Sequence, residues 1–212
     1  MFIDRKDAAE KLGRALEKYR GANVIVLGIP RGGAETAYYV AKHLHAELAL
    51  VITRKLGYPF NPETAFGAVA EDGSLYISDV ARERLTEEEM HNEVLQQKEE
   101  IKRRVKKFRQ GKPLPELKGR TVIVTDDGIA TGATLFAAIG LCKKNKASKI
   151  VVAAPISGKR MEAMLKKMVD DVVILETPAD FRAVSQGYKE FRNLSDEEAM
   201  AFISKGEKEH HI

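Results

Sequence analysis

The chain has 212 residues, 44% of them hydrophobic and 31% charged. That length suits one domain or one domain with an appendage, and that balance excludes a disordered chain. No apolar run reaches the roughly 20 residues that span a bilayer, and the opening Met1-Phe2-Ile3-Asp4-Arg5-Lys6-Asp7 lacks the apolar stretch of a signal peptide. The single Cys142 cannot close an internal disulfide, so a reducing cytoplasm is the expected compartment, with no membrane contact. The net charge of +4 is concentrated: Lys98 to Arg109 holds seven basic residues and two acids, which more than accounts for it. Such a run is ordinarily a solvated helix face, and a nucleic-acid contact is the sharper alternative.

In chain order, a helix is expected over about 5–20 and a strand at Val24–Leu27, followed by Gly28-Ile29-Pro30-Arg31-Gly32-Gly33 and a helix over 33–45. A strand at Leu48–Ile52 leads into Thr53-Arg54-Lys55. Thr53–Ser74 is rich in Gly, Pro and Asn and reads as a long loop, with a short hairpin around Ala65–Ala70 and Leu75–Ser78. A loop that long inside a compact domain is usually functional. Thr86-Glu87-Glu88-Glu89 is a capping box that opens a helix over 86–109, on which Met90, Val94, Ile101, Val105 and Phe108 keep helical spacing. Its basic residues gather at the C-terminal end, where the helix dipole favours them, and Gly111, Pro113 and Pro115 end it. A strand at Thr121–Thr125 runs through Asp126-Asp127-Gly128 to a helix over 132–146. A strand at Ile150–Ala154 runs through Pro155-Ile156-Ser157-Gly158 to a helix over 159–169, and a fifth strand covers Val172–Leu175. Ser195-Asp196-Glu197-Glu198 caps a last helix. The strands are β-branched and nearly continuous, as in a parallel sheet covered on both faces. Their alternation with helices makes the expected class α/β, with an open, mainly parallel five-stranded sheet flanked by helices.

Polar and glycine-rich clusters follow the strands directly. In an open α/β sheet such segments converge on a crevice at the carboxyl ends of the strands. Ala130-Thr131-Gly132-Ala133-Thr134 is a small turn from strand into helix, and it presents backbone N–H groups, a helix N-terminus and two hydroxyls, as a phosphate cradle does. It has no Gly-Lys-Ser/Thr ending and no Gly-x-Gly-x-x-Gly, which excludes a Walker loop and a dinucleotide fingerprint. Asp126 and Asp127 stand just before it. Acids beside an anion site are tolerable when they face hydroxyls or a metal ion, so a sugar phosphate satisfies both halves of the cluster. The alternative is that the two acids merely cap a turn.

Val122-Ile123-Val124-Thr125-Asp126-Asp127-Gly128-Ile129-Ala130-Thr131-Gly132-Ala133-Thr134 resembles the phosphoribosyl pyrophosphate (PRPP) motif of type I phosphoribosyltransferases. The family usually has an aliphatic residue where this chain has Gly128. Pro30-Arg31-Gly32-Gly33 resembles the family's pyrophosphate loop, and Arg54-Lys55 resembles the basic pair before its mobile catalytic loop. Leu27 to Gly73 looks like a subgroup of provisionally named phosphoribosyltransferases whose base is not evident from sequence. The resemblance implies one domain over 1–212, with a flexible loop and long helix inserted over 56–115 and a C-terminal hood and tail over 176–212. It implies Mg²⁺-dependent transfer of 5-phosphoribose from PRPP to a nitrogenous base, with release of pyrophosphate, in nucleotide metabolism. The 5′-phosphate would sit on Ala130–Thr134, and the ribose hydroxyls and metal on Asp126 and Asp127. Pyrophosphate would sit on Pro30, Arg31, Gly32 and Gly33, with Arg54 and Lys55 stabilising its departure. A 56–75 loop hinged at Gly57, Gly67 and Gly73 would close over the site.

Family members that use 6-oxopurines carry an acid at the position of Ala130, so this chain looks more like the adenine- or uracil-type members. The hood candidate begins at Thr177-Pro178-Ala179-Asp180-Phe181 and carries Phe181 and Tyr188 as stacking faces for a base, with ordinary core aromatics as the alternative. Tyr58 and Phe60 offer a second acceptor location. His43 and His45 read as satisfied or solvated histidines, His210 and His211 as a polar tail, and Ser157 lies outside a Gly-x-Ser-x-Gly elbow. Two rival functions remain: a PRPP-sensing regulator that binds nucleic acid through Lys98–Arg109, and a non-catalytic nucleotide-binding module. The oligomeric state is open between monomer and homodimer.

Overall fold

The computed structural model describes residues 1–21 and 23–210; the expected tail residue His211 lies outside them. In chain order the elements are α1 (Arg5–Ala15), β1 (Val24–Gly28), α2 (Gly32–Leu44), β2 (Glu47–Leu50), β3 (Thr53–Tyr58), β4 (Asn61–Ala70) and β5 (Leu75–Ile77). Then come α3 (Asp79–Arg84), α4 (Glu87–Arg109), β6 (Thr121–Thr125), α5 (Ala133–Lys144), β7 (Lys149–Ile156), α6 (Lys159–Leu165), β8 (Asp171–Glu176) and α7 (Asp196–His210). The main sheet is parallel throughout, in the order β2-β1-β6-β7-β8. Its five strands are the five expected from the apolar runs.

Both faces of that sheet are buried, which is why its strands show no polar alternation. Val26, Ile123 and Val151 face a layer that includes Leu12, Leu16, Tyr38, Ala41 and Ile203 from α1, α2 and α7. Ile25, Leu27, Val122, Val124 and Val152 face the opposite layer, built on Leu135, Phe136, Ile139 and Cys142 of α5. Burial pushes the Cys142 thiol up to about 12, so it behaves as a small hydrophobe.

The expected hairpin at Ala65–Ala70 and Leu75–Ser78 is present as β4–β5, while the expected long loop over the rest of 53–74 is corrected by the structure. Residues 53–77 form a second, antiparallel sheet in the order β3-β4-β5. Gly57 and Gly67 are paired strand residues, opposite Ala65 and Leu56. The short side chains of β4 gave little strand signal, and its partners stabilise it instead.

Helix α4 carries its expected capping box, with Glu89 N–H on Thr86 Oγ1 and Thr86 N–H on Glu89 Oε2. Its basic run is largely committed within the fold. Lys102 pairs with Glu99, Arg103 and Arg104 share Glu100, and Lys107 reaches Asp196. Arg109 is buried, paired with Glu71 and donating to the Leu50 carbonyl at 2.8 Å. A structural account therefore covers most of the charge that made nucleic acid an alternative. Ser195 caps α7 as expected, its hydroxyl accepting from Glu198 N–H at 3.1 Å.

Candidate active site

The chain leaves β1 toward β2 on one side and later returns as β6 on the other. β1 and β6 are therefore the neighbours at which the strand order reverses, with Gly28 opposite Thr125. A crevice at the carboxyl ends of such strands is a built-in ligand site. Here it opens into a cleft of about 1010 Å³ whose lining includes Pro30, Arg54, Lys55, Asp126, Asp127 and the turn residues Ala130, Thr131, Gly132 and Thr134. Most of the residues singled out from sequence are thus brought together.

The turn has the expected character. Gly132 is the N-cap of α5 at φ +77°, and no side chain caps the helix. Its first-turn N–H groups are left for water or an anion. The left-handed backbone at Gly132 favours glycine, while the Met161 thioether, 3.0 Å from where a Cβ would lie, is a flexible side-chain end that could shift. Ala133 is buried beneath the turn. The buried Ser157 hydroxyl donates to the Ile129 carbonyl at 3.1 Å and steadies the approach from below, a structural role for that serine.

The two acids differ in their surroundings. Asp127 Oδ2 accepts from Arg5 Nε at 2.8 Å, in a pair whose side chains are only 6% and 13% exposed. Arg5 Nη1 also donates to the Arg192 carbonyl at 2.6 Å, and its guanidinium lies 4.3 Å from the centre of the Phe191 ring. Asp126 accepts the Asp127 N–H at 2.8 Å. Burial first, and the neighbouring Asp127 charge second, push the Asp126 carboxyl well above its ordinary range of about 3.8. The Pro30–Arg31 loop packs directly on this pair. A Cβ at Gly32 would lie 2.1 Å from Asp127 Oδ2, and one at Gly33 would lie 3.1 Å from Asp126 Oδ1. The Pro30–Arg31 peptide is cis, and the exposed Arg31 side chain extends to 3.9 Å from Asp196.

The acceptor expectation needs correction. Tyr188 is 6% exposed, packed with Phe2 and Phe191, and its hydroxyl donates to the Asp127 backbone carbonyl. It holds the acid loop and is not a stacking face. Phe181 packs on the same cluster and does not line the cleft. The hood residue that does line it is Val184, together with Tyr58, Pro59 and Pro62 from the β3–β4 hairpin. Val184 also explains the glycine at 128: its methyls would lie 2.5 and 2.8 Å from a Cβ placed there. The space that an aliphatic side chain at 128 would fill is taken by the hood. Neither Val184 nor Arg5 carries any local motif.

The resulting expectation is specific. Gly128→Val puts two branched side chains in one space and should cost about 1–3 kcal/mol of stability. Adding Val184→Gly to that variant should restore a measurable part of the loss in urea unfolding. Two independent, additive losses would mean the side chains do not compete.

Comparison with known proteins places this arrangement. A family model described as "Phosphoribosyl transferase domain" matches residues 3–190. The chain belongs to the phosphoribosyl transferase family. Two Mycobacterium tuberculosis proteins, provisionally named as phosphoribosyl transferases, are 42% identical to it over 211 residues. The match takes in 99% of this chain but 48% of each relative, so the chain spans about half the length of the curated relatives it matches. The crystal structure of TT1426 from Thermus thermophilus superposes with a TM-score of 0.83 at 36% identity, covering 96% of this chain and 98% of that one. A hypoxanthine phosphoribosyltransferase from Staphylococcus aureus shares the fold, with a TM-score of 0.50 at 14% identity, covering 83% of this chain and 73% of that one. The phosphoribosyl transferase fold thus accounts for the five-stranded parallel sheet flanked by helices.

Proposed function

We propose that this phosphoribosyltransferase moves 5-phosphoribose from PRPP to a nitrogenous base and releases pyrophosphate. The observation that carries the reading is the uncapped Gly132 turn beside the Asp126–Asp127 pair, in one cleft with Arg54 and Lys55. The turn holds the 5′-phosphate through N–H groups and the Thr131 and Thr134 hydroxyls. Asp126 receives ribose hydroxyls, and Asp127, fixed by Arg5, keeps the pyrophosphate loop seated. The base enters between Val184 and the hairpin residues Tyr58, Pro59 and Pro62. Negative charge gathers on the departing pyrophosphate, where Arg54 and Lys55 stabilise it most strongly in the transition state.

The acids suit Mg²⁺ of one kind. Among the described residues no group of three or more His, Cys, Asp or Glu side chains could cage an ion. Asp126 makes no ion pair among them, while Asp127 is committed to Arg5. One or two carboxylates fit an ion that arrives with phosphate oxygens and water. When bound, Mg²⁺ supplies Lewis-acid stabilisation of the diphosphate, and Asp126, not the Arg5-paired Asp127, is the residue that would hold it. No described helix is long and apolar enough to cross a membrane.

The test is pyrophosphate release from Mg-PRPP against a panel of purine and pyrimidine bases. Release stimulated by one base class supports the reading, and PRPP binding without release on any base would make the protein a sensor. Lys55 gives a finer check. Lys55→Ala should lower kcat by about tenfold or more while shifting the PRPP KM less than threefold. Equal losses in binding and turnover would make it a ground-state contact.

A further inference from the structure

The long helix α4 contributes more to the cleft than a wall. Of the basic run Lys98–Arg109, Arg104 is the residue that lines the cleft, alongside Arg54 and Lys55. Its side chain is 25% exposed, against 72% for Lys102 and 57% for Arg103. Lys107 and Arg109 are committed to Asp196 and Glu71. The helix dipole accounts for basic residues near the C-terminus of α4, but not for turning one of them into a cleft beside another arginine.

Two guanidiniums in one half-buried cleft repel. Burial, and after it the Arg104 charge, both work against the proton on Arg54. The fold holds the pair together with a polar scaffold on one face of α4. Arg54 Nε donates to Gln97 Oε1 at 2.9 Å, and Gln97 Nε2 donates to Glu93 Oε1 at 2.9 Å, which aims the amide oxygen at Arg54. Arg104 Nε donates to Glu100 Oε1 at 3.0 Å. That same carboxylate also takes two bonds from Arg103. One carboxylate is therefore divided between two guanidiniums and neutralises neither. Both cleft arginines are held through Nε, so the described contacts leave their terminal nitrogens unengaged. Those nitrogens are the ones that grip a multivalent anion in a forked, bidentate way.

We propose that Arg104 and Arg54 form a two-guanidinium clamp for a diphosphate, with Gln97 and Glu100 as its positioning residues. This rests on the phosphoribosyl-transfer reading for its biological use and names the pyrophosphate moiety as the ligand. The clamp joins two separate parts of the fold, since Arg54 lies on β3 and Arg104 on α4. α4 therefore belongs to the active site, and its packing against β3 sets the spacing of the two charges.

The test uses the whole chain and inorganic pyrophosphate with Mg²⁺, read by titration calorimetry, with ribose 5-phosphate as a second probe for the Gly132 turn. Arg104→Ala should weaken pyrophosphate binding at least tenfold and leave ribose 5-phosphate within twofold. Arg104→Lys should fall between, because it keeps the charge and loses the fork. Lys102→Ala, outside the cleft, should bind both as the parent does. Thermal unfolding checks that each variant is folded, and Arg104→Met serves if the alanine variant is not. Unchanged pyrophosphate affinity in folded Arg104→Ala or Arg104→Met, with ribose 5-phosphate still bound, overturns the clamp and leaves the transfer reading intact. A parent that binds pyrophosphate but never ribose 5-phosphate, with pyrophosphate affinity lost in folded Arg104→Ala, upholds the clamp and removes the transfer reading. A parent that binds neither probe overturns both.

Discussion

Asp126→Asn is expected to lower turnover by about 100-fold or more while raising the melting temperature at neutral pH. The two effects share one cause. Burial and the adjacent Asp127 charge hold the Asp126 carboxyl above its unfolded value of about 3.8, so the native state binds that proton more tightly than the unfolded chain does. The contribution of this group to stability is complete below the unfolded value and is lost as pH rises through the native one. At neutral pH an ionised Asp126 therefore works against folding, and Asn carries no such cost. The parent and the variant should have similar melting temperatures near pH 4 and diverge by pH 7 to about 8, with the variant higher. Curves that stay parallel across that range would show that the acid is solvated and unstrained. For the same reason, binding of Mg-PRPP should tighten with pH as the carboxylate forms.

The second large effect is expected at Arg5. It is nearly inaccessible, and Asp127 is its ionic partner. Arg5→Met would leave Asp127 charged beside Gly32 with its partner gone, and breaking a buried pair in this way costs about 3–5 kcal/mol. The double variant Arg5→Met with Asp127→Asn should recover most of that stability, because no charge then stays buried without a partner. It should not recover activity, since the acid loop loses the clamp that ties it to Arg192 and Phe191. A loss below about 1 kcal/mol in urea unfolding would reduce the pair to a solvated contact.

The five parallel strands and the phosphate turn were legible because each is written locally. A strand buried on both faces must be a continuous apolar run, and Ala130–Thr134 needs small residues for its backbone to reach an anion. The second sheet was legible only in part. The hairpin of Ala65–Ala70 with Leu75–Ser78 was expected and is found as β4–β5, but the extension of β4 back to Asn61 and its pairing with residues 53–58 were not, because Gly, Pro and Asn over 53–64 weaken any period there. The capping box of α4 announced the helix but not its face, so Arg104 read as part of a solvated run and Gln97 carried no signal. Tyr188 failed as an acceptor residue because its environment is set by Phe2, at the opposite end of the chain. Arg5 and Asp127 are 122 positions apart, and no spacing rule reaches that far.

That distance also bears on how the molecule assembles. Phe2 N–H bonds to the Gly187 carbonyl, Lys189 N–H to Phe2 and Glu190 N–H to Ile3, and Arg5 meets the Arg192 carbonyl across 187 positions. Residues 2–5 thus cannot pair until residues 187–192, nearly two hundred positions later, are in place. Closing so long a loop loses more chain entropy than any neighbouring-strand contact of the main sheet, and contacts of this separation form slowly. The parallel sheet can collapse on its own apolar strands, but Tyr188 and Arg5 reach Asp127 only after residues 2–5 and 187–192 meet. Refolding followed by ligand binding should therefore lag behind refolding followed by helical signal, with catalytic competence the last property the chain acquires.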